Sequence, residues 1–252
     1  MIKRETEISI ADFPEQLHAF LQSGKIYDSS CSPDATTLYC DAGYYIKIAP
    51  RGDLAMEAEM GERFWNLGLG VEVVQYLSTD RDYLVTRGAV GEDLTHYLHD
   101  PEGLCRVLAF ALRKLHTQSV QGIPVSKKLR QYAEVSYERY EDYLLVKELG
   151  IGTKDEAWAI FRDNQGKLKT DTLIHGDACL PNIICNNDGF SSFIDCGLAG
   201  AGDRHVDLFW AIWSLQFNLK TNAYMDYFLD QYGRENIDFD LLKVAAAFEL
   251  FC

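Results

Sequence analysis

This chain of 252 residues lacks the sequence features of several protein classes. Its seven cysteines are scattered, odd in number and without a C-x-x-C pair, so we expect neither a disulfide framework nor a zinc site. No run of about eighteen apolar residues occurs, so no membrane-spanning helix is expected. Residues 1–13 have no apolar core of the kind that a signal peptide needs. The sequence therefore predicts a cytoplasmic protein with reduced thiols and no membrane partner.

Positive charge is also scarce. The chain has 24 Lys and Arg residues against 38 Asp and Glu residues, a formal net charge of -14. Non-specific binding of nucleic acid depends on Lys and Arg to neutralise phosphates, so no nucleic-acid partner is expected. An acidic surface attracts cationic partners through its long-range field, although acidity also serves solubility alone. The composition is therefore compatible with a cationic small molecule as a partner.

Two hydrolase motifs are missing as well. There is no G-x-S-x-G nucleophile elbow and no H-E-x-x-H zinc motif. The chain instead contains LIHGDACLPNIICNNDGFSSFIDCG, from Leu173 to Gly197, with Asp177, Asn182 and Asp195 at fixed spacings around short apolar runs. Phosphoryl transfer needs a carboxylate that orients and deprotonates a hydroxyl, and an amide and a second carboxylate that hold magnesium on a nucleotide. The stretch therefore predicts a phosphoryl-transfer site.

The predicted local structure brings these side chains near one another. The turn Asn186–Gly189 joins two β-prone runs, and such a hairpin places Asn182 and Asp195 side by side at one end. Asp177 is expected to lie nearby, facing the acceptor hydroxyl. Taken singly, each polar residue is also an ordinary loop or turn residue. His175 is expected to be a structural histidine that bonds backbone, and not a catalytic group.

The periodicity of apolar residues changes along the chain. The first ninety residues read as β-β-α-β-β, with the turn Asp41–Gly43 between the first two strands. The later pattern predicts mostly helices with a small β insert. The predicted units are residues 1–90 and 91–252. The predicted elements are strands at 36–40, 44–48, 71–77 and 83–86, and helices at 53–67, 101–118, 127–148, 154–163 and most of 203–251.

The motifs HGDACLPNI and FIDCG resemble those of the aminoglycoside phosphotransferase family, and most of all its 3'-phosphotransferase branch. The resemblance extends over almost the whole chain. It implies an α+β, protein-kinase-like fold with a β-rich nucleotide-binding N-terminal lobe and a mostly helical C-terminal lobe for catalysis and acceptor binding. It also implies that Asp177 is the catalytic base, that Asn182 and Asp195 hold Mg²⁺, and that ATP or GTP is the donor. The implied acceptor is a cationic, aminoglycoside-like molecule, and the implied role is antibiotic resistance.

The family also places a strand lysine on the α- and β-phosphates of the nucleotide, braced by a glutamate of the following helix. Lys47, in the strand Tyr44–Ile48, matches that lysine. An unpaired ammonium among apolar strand residues would be costly to bury, which favours a partner. Aligning Met-Glu-Ala-Glu at 56–59 with the family pattern selects Glu59 as the brace and leaves Glu57 as an alternative.

The chain has no glycine-rich loop of the kind that covers the phosphates in protein kinases. The resemblance implies that Ser32, in the segment S-S-C-S-P, contacts the nucleotide phosphates instead. It also implies that Leu84–Ala89 is the linker that reads the adenine edge through backbone groups, which makes Thr86 and Ala89 nucleotide contacts.

The C-terminal residues F-E-L-F resemble the acceptor end of the family, which implies that Glu249 and Phe251 contact the acceptor. Four features of the acceptor region depart from the family pattern. Leu198 and Trp213 stand where arginines are usual, Phe248 stands where an aspartate is usual, and Cys252 follows the expected terminal aromatic residue. These changes predict a more apolar acceptor pocket and leave the identity of the acceptor open.

Three functional hypotheses follow from these motifs. The first is an ATP- or GTP-dependent O-phosphotransferase that acts on an aminoglycoside-like acceptor. The second is a small-molecule kinase of the same superfamily with another acceptor, resembling choline or homoserine kinases. The third is a catalytically silent nucleotide-binding protein, which the intact set of Lys47, Asp177, Asn182 and Asp195 disfavours.

Overall fold

The computed structural model describes residues 3–31 and 35–252, so the predicted phosphate contact at Ser32 lies outside the described residues. The chain forms two compact units. One comprises residues 1–90 and Ser192–Gly197, and the other comprises Gly91–Ser191 and Leu198–Cys252. The first is β-rich and the second mostly helical, which confirms the predicted α+β class. Within the described part of the chain, every helix is too short or too polar to cross a lipid bilayer.

The first unit contains a six-stranded sheet. The strands are Arg4–Glu5 (β1), Ile26–Asp28 (β2), Thr36–Cys40 (β3), Tyr44–Pro50 (β4), Val73–Ser78 (β5) and Arg81–Arg87 (β6). Neighbouring strands are antiparallel, in the order β1-β2-β3-β4-β6-β5. The predicted hairpin is confirmed, and the turn at 41–43 ends on Gly43, whose φ of 92° is a left-handed value that suits glycine. A short helix, His18–Leu21 (α1), follows β1.

Strand β4 separates two sets of side chains. Ile46 and Ile48 belong to a buried cluster with residues of α1, β2, β3 and β6. Because alternate residues of a strand point to opposite faces, Lys47 and Ala49 face the other side. Ala49 there packs in a cluster that includes Ala58 of helix α2, Ala55–Asn66. The alternation therefore puts the Lys47 side chain on the face of the sheet that this helix covers.

The start of α2 is tied to the sheet by one buried carboxylate. Asp82 Oδ2 accepts hydrogen bonds from the backbone N–H of Gly52 (2.9 Å), the backbone N–H of Leu54 (3.0 Å) and the hydroxyl of Tyr76 (2.9 Å). Asp82 is fully buried. Its hydrogen bonds therefore fix where the chain enters α2.

These hydrogen bonds predict a pH-dependent contribution of Asp82 to stability. Burial raises the pKa of Asp82, but hydrogen bonds from Ser78, two backbone N–H groups and Tyr76 outweigh it and hold the pKa below its ordinary value. A carboxyl with a lowered folded pKa stabilises the protein above its unfolded pKa, and this contribution is lost as pH falls through the folded pKa. We expect Asp82→Asn to lower the free energy of unfolding at neutral pH by about 1–3 kcal/mol.

Urea denaturation of both proteins across the pH range checks this expectation. The difference between wild type and Asp82→Asn should shrink below about pH 4, where the wild-type carboxyl also becomes protonated. A difference that stays constant or grows as the pH falls would contradict the assigned role.

The second unit is built mainly from helices. The helices are Pro101–His116 (α3), Lys127–Gln131 (α4), Lys154–Asp163 (α5), Arg204–Leu219 (α6), Met225–Tyr232 (α7) and Phe239–Glu249 (α8). The packed helix pairs include α3 with α7, α6 with α8 and α5 with α8. The predicted helices at 101–118 and 154–163 are confirmed, and the C-terminal region is helical with breaks at the expected places.

Short strands carry the motif region. Thr172–Ile174 (β8) pairs with Gly200–Gly202 (β11), a strand that the sequence pattern did not predict. Glu92–Asp93 (β7), Ile183–Asn186 (β9) and Gly189–Phe193 (β10) form a three-stranded sheet in the order β10-β9-β7. The last two residues of β10 already belong to the first unit.

The predicted helix at 127–148 was wrong beyond its first turns. The helix α4 ends at Gln131, and separate 3₁₀ turns follow as far as Leu149. Tertiary contacts compete with a continuous helix here: Glu141 N–H donates to Leu250 O at 2.8 Å. The rings of Tyr137 and Tyr140 pack against Phe251, with centroids 6.2 and 5.5 Å away. The segment therefore follows the C-terminus and not its own helical periodicity.

Candidate active site

The motif HGD forms a tight loop directly after β8. Gly176 has a φ of 82°, and a Cβ at this position would lie 2.6 Å from Leu198 O, so only glycine fits without a shift. The His175 side chain is fully buried, and its Nδ1 accepts the N–H of Asp177 at 3.3 Å. The expectation of a structural histidine that bonds backbone is confirmed. The loop presents Asp177, the predicted base, just beyond this buried histidine.

One carboxylate of helix α6 anchors the loop through hydrogen bonds to its backbone. Asp207 is fully buried, and its two oxygens accept the N–H groups of His175 and Gly176, each at 2.8 Å. Its Oδ2 also lies 3.1 Å from His116 Nε2. An ionised carboxylate only accepts hydrogen bonds, so His116 carries its proton on Nε2 and donates it to Asp207. The other ring nitrogen, Nδ1, then accepts the hydroxyl hydrogen of Tyr232 at 2.8 Å. A chain of buried hydrogen bonds from α7 through α3 to α6 thus fixes the HGD loop.

Asp207 was not among the predicted site residues. The available signal was a single carboxylate inside the apolar helical stretch V-D-L-F-W-A-I-W of 206–213. A buried charge of this kind is rarely tolerated without partners. The sequence could therefore flag the position but not name the groups that it holds.

Asn182 lies in the same unit as Asp177 and contacts it directly. The Asn182 Nδ2 group donates to Asp177 O and to Asp177 Oδ2, both at 3.0 Å. Asn182 ends the 3₁₀ turn Leu180–Asn182, whose first N–H donates to Ser214 Oγ at 3.0 Å. Because the amide nitrogen faces Asp177, the amide oxygen of Asn182 points away from it. The structure thus brings together the predicted base and one predicted metal ligand.

The first unit holds the other predicted groups. Lys47 Nζ donates to Glu57 Oε2 and to Asp195 Oδ1, both at 2.8 Å. Burial lowers the pKa of Lys47, but the charges of Asp195 and Glu57 outweigh it and raise the pKa above its ordinary value. The ammonium therefore stays charged and points at the carboxylate of the FIDCG motif.

Glu57, and not Glu59, is the glutamate that braces Lys47, so the prediction of Glu59 was wrong. Glu59 instead forms an exposed ion pair with Arg63 one turn further along α2, with a distance of 3.0 Å from Arg63 Nη2 to Glu59 Oε1. Residues two apart on a helix are separated by about 200° of rotation, so the two glutamates face opposite sides. Aligning the sequence with the family pattern could not show which of the two glutamates faces Lys47.

The two glutamates provide a matched pair of variants. We expect Glu57→Gln to lower kcat/KM for the nucleotide by about tenfold or more, because Lys47 loses a charged partner that positions it. Glu59→Gln on the same helix is expected to stay within about twofold of wild type, because exposed ion pairs contribute little. Steady-state kinetics with varied nucleotide measure both. Equal losses in the two variants would contradict the assignment of Glu57.

The segment that carries Asp195 is held firmly within the first unit. Phe193 N–H donates to Leu69 O at 2.7 Å, and the Phe193 ring packs edge-on against Phe64 with a centroid distance of 5.9 Å. Asp195 has a φ of 59°, a left-handed value that is uncommon for a residue with a Cβ. Its side chain is 52% exposed although it contacts Lys47. The backbone thus holds the carboxylate at the surface, where a ligand has access to it.

The predicted linker residues lie at the end of β6. Thr86 pairs with Tyr45 of β4 and with Val73 of β5. The strand ends at Arg87, and Gly88 N–H then donates to Gly43 O at 2.9 Å. Ala89 follows this hydrogen bond and lies outside the strand. Nucleotide contacts at Thr86 and Ala89 stay predictions.

The predicted acceptor residues Glu249 and Phe251 are buried within the second unit. Glu249 Oε2 accepts from Lys128 Nζ at 2.9 Å, and its Oε1 accepts from the Tyr132 hydroxyl at 2.6 Å. Burial raises the pKa of Glu249 above its ordinary value, against the opposing effect of Lys128. The Phe251 ring is fully buried against Trp158, with a centroid distance of 5.0 Å. Contact of these two side chains with an acceptor stays a prediction.

Comparisons with known proteins identify the family. The phosphotransferase enzyme family, APH, matches residues 35–246. A probable aminoglycoside 3'-phosphotransferase of Lactococcus lactis is 42% identical over 260 residues, which cover 98% of both chains. The chain belongs to the APH phosphotransferase family. It is therefore a phosphotransferase that uses an alcohol group as acceptor, as the motifs predicted.

More distant relatives agree with this membership in the APH family. An aminoglycoside 3'-phosphotransferase of Niallia circulans is 30% identical over 168 residues, 64% of both chains. The solved structure of the aminoglycoside phosphotransferase APH(3'')-Id from Streptomyces rimosus has a TM-score of 0.72 at 18% identity, and covers 96% of this chain and 98% of that one. At this identity the structural similarity concerns the fold, which is the two-lobed α+β fold that the sequence predicted.

The two predicted magnesium ligands belong to different units. Among residues 3–31 and 35–252, no three His, Cys, Asp or Glu side chains cluster as a metal site. Magnesium retains waters and phosphate oxygens and takes only one or two protein oxygens. The exposed Asp195 carboxylate of the first unit and the amide oxygen of Asn182 in the second are each a ligand of the type that magnesium takes. Their roles as magnesium ligands stay predictions.

Proposed function

We propose that this phosphotransferase uses ATP or GTP with Mg²⁺ to phosphorylate a hydroxyl of an aminoglycoside-like cationic acceptor, and that this activity confers antibiotic resistance. One observation carries the proposal: Asp177 is presented by a loop that Asp207 anchors, and Asn182 donates to its carboxylate. The relatives named as aminoglycoside 3'-phosphotransferases support the acceptor class. The cytoplasm, where nucleoside triphosphates are available, is the proposed place of action.

In the proposed mechanism the first unit binds the nucleotide phosphates. Lys47 keeps its charge because Glu57 and Asp195 accept its hydrogen bonds, and its ammonium draws negative charge from the phosphate oxygens. Asp195 and the amide oxygen of Asn182 would hold Mg²⁺, which when bound neutralises charge on the transferring group. Nucleotide arrival would move Lys47 from Asp195 towards phosphate, while Glu57 keeps the lysine side chain oriented.

The second unit acts on the acceptor hydroxyl. Asp177 orients the hydroxyl and takes its proton as the oxygen attacks the γ-phosphorus, while the bond from this phosphorus to the β,γ-bridging oxygen breaks and the nucleoside diphosphate leaves. Asn182 Nδ2 fixes the orientation of the Asp177 carboxylate through the 3.0 Å hydrogen bond to Oδ2. Most of the rate enhancement in this reaction class comes from such positioning and from electrostatic stabilisation.

A panel of acceptors with mass detection of the product tests the proposed function. We expect ATP or GTP with Mg²⁺ to give a phosphorylated aminoglycoside, such as phosphorylated kanamycin, and to release the nucleoside diphosphate. Turnover of choline or other amino alcohols with no aminoglycoside product would contradict the proposed acceptor class. Magnesium-dependent nucleotide binding with no product from any acceptor would contradict catalysis itself. Parallel reactions with ATP and with GTP assign the donor.

One observation favours the second candidate, a kinase of the same superfamily with another acceptor. Trp213, which stands where the family usually has an arginine, donates its indole N–H to Tyr143 O at 3.0 Å. Its ring stacks on Phe217 with a centroid distance of 5.0 Å and an interplanar angle of 16°. Tyr143 and Phe217 are exposed, by 63% and 54%. An aromatic surface thus replaces a cation, and the acceptor panel decides between the two candidates.

A further inference from the structure

Helix α6 holds the segment that carries Asp177 at two places. Asp207 accepts backbone N–H groups just before Asp177, at 2.8 Å. Ser214 of the same helix accepts the N–H of Leu180, which follows Asp177, with 3.0 Å between Leu180 N and Ser214 Oγ. The segment is therefore anchored on both sides of the predicted base.

The two anchors lie on one face of α6. From Asp207 to Ser214 the chain advances seven residues, which is two helical turns less about 20° of rotation and a rise of about 10 Å along the axis. Both residues are buried, with 0% and 1% exposed. One continuous helix thus sets the positions of the two ends of the segment, with Asp177 between them.

The Ser214 hydroxyl is itself fixed on the helix. Asn218, one turn later, donates from Nδ2 to Ser214 O at 2.8 Å and to Ser214 Oγ at 3.3 Å. A hydroxyl oxygen has two lone pairs, and the N–H of Leu180 and the amide of Asn218 use both. Leu180 is fully buried, so a Ser214 side chain that turned away would leave a buried N–H without its acceptor.

The turn that Ser214 holds leads directly to the Asp177 side chain. Leu180 begins the 3₁₀ turn that Asn182 ends. From there, Asn182 Nδ2 donates to the backbone oxygen and to the carboxylate of Asp177, both at 3.0 Å. An unbroken series of contacts therefore connects Ser214, through a single turn, with the carboxylate of the predicted base.

We propose that Ser214 is a positioning residue of the phosphoryl transfer, which acts through the Leu180–Asn182 turn to hold the Asp177 carboxylate in the orientation that the acceptor hydroxyl requires. This inference rests on the proposed phosphotransferase function. In this role Ser214 acts on kcat, because transfer depends on the distance and angle between the carboxylate and the hydroxyl. It binds neither the nucleotide nor the acceptor, so their KM values do not depend on it.

Two substitutions at Ser214 separate positioning from stability. Ser214→Ala removes the oxygen that accepts the Leu180 N–H, whereas Ser214→Thr keeps the hydroxyl and adds one methyl group to a buried site. With Mg²⁺, kanamycin and the better of ATP and GTP, we expect Ser214→Ala to lower kcat by about fivefold or more, with both KM values within about twofold of wild type. Ser214→Thr is expected to keep kcat within about threefold of wild type, although the added methyl lowers Tm.

Asp100→Ala is the matched control for stability. Asp100 caps α3, and its Oδ1 accepts the N–H of Gly103 at 3.0 Å, the same length as the bond from Leu180 to Ser214. Loss of either acceptor is expected to lower Tm by about 2–8 °C. Asp100→Ala is nevertheless expected to keep kcat within about twofold of wild type, because the capped end of α3 is the end remote from His116.

A double-mutant cycle tests the connection through Asn182. Asn182→Ala removes the amide that holds Asp177, and its residual rate is measured from the mass of the product at a raised enzyme concentration. Because Ser214 is proposed to act through this amide, adding Ser214→Ala to Asn182→Ala is expected to change the residual kcat by less than about twofold, although Tm still falls.

Three results would overturn the inference while the proposed function stands. A kcat of Ser214→Ala within about twofold of wild type, with a lowered Tm, would make Ser214 a structural residue only. Equal losses of kcat in Ser214→Ala and Ser214→Thr would show that the hydroxyl is not what matters. The same fold loss from Ser214→Ala with and without Asn182 would show that Ser214 does not act through this amide. Absence of product with wild type and every acceptor is the distinct result that would overturn the proposed function, and the inference with it.

Discussion

Replacing Asp177 by alanine is expected to lower kcat by about 10²–10⁴-fold, the range over which a general base contributes. The affinity for nucleotide and the Tm are expected to stay close to wild type. The reason is that Asn182 Nδ2 also donates to the backbone oxygen of Asp177, and this 3.0 Å hydrogen bond does not need the carboxylate. Coupled release of ADP measures kcat, and titration calorimetry with Mg-ATP measures the affinity.

Asp188→Ala is the matched control for this experiment. Asp188 is an exposed carboxylate in the turn between β9 and β10, a few residues further along the same motif region. Its loss is expected to change kcat by less than about twofold, as for most surface substitutions. Wild-type kcat in Asp177→Ala would show that another group takes the proton and would reject the mechanism.

Asp207→Asn is expected to lower both the stability and kcat. Asp207 is not one of the proposed reacting groups, but it holds the backbone of the HGD loop. The variant has one oxygen where wild type has two, and its amide NH₂ would meet the N–H of His175 or Gly176, which now donate at 2.8 Å. Breaking such a buried, charge-assisted set costs about 3 kcal/mol or more. For a chain of this size, that corresponds to a fall in Tm of about 6–12 °C.

Kinetics separate the positioning role of Asp207 from stability alone. Below the lowered Tm, kcat of Asp207→Asn is expected to fall by about tenfold or more, because the loop that presents Asp177 loses its anchor. Asp226→Asn is the control, since this carboxylate on α7 is 82% exposed and forms an ion pair with Arg234 at the surface. Its variant is expected to lose less than about 1 kcal/mol and no activity. An Asp207→Asn variant with wild-type Tm and kcat would contradict the anchoring role.

Much of the fold could be predicted from local patterns. The hairpin at 36–48 was predictable because alternation and a turn ending in glycine specify it within a few residues. The helices α3 and α5 were predictable because apolar residues recur at helical spacing along each of them. The predicted helix was wrong at 132–149 because distant contacts, and not local patterns, decide the structure there. The segment was predicted as part of one helix, but Tyr137 and Tyr140 pack against the C-terminal Phe251, more than 100 residues later in the sequence.

The residues of the candidate site also divide into those that a local pattern indicates and those that only the fold brings together. Asp177, Asn182 and Asp195 could be proposed from the sequence because the groups that phosphoryl transfer needs lie within one short stretch, and their roles stay predictions. Glu57 was not distinguished from Glu59, because the choice depends on how α2 is rotated against β4. Asp207 was missed because its partners His116 and His175 come from other elements.

The chemistry of this phosphotransferase was determined by its sequence alone. The spacing of Asp177, Asn182 and Asp195, and a lysine at position 47 in a β-prone strand, are local features that persist in any fold that keeps the motif. Only the tertiary structure decided which side chains support that chemistry. Lys128 meets Glu249 across 121 residues, and Lys47 meets Asp195 across 148. Such pairs form only when packing brings distant elements together and removes water from between the charges, which no local pattern encodes.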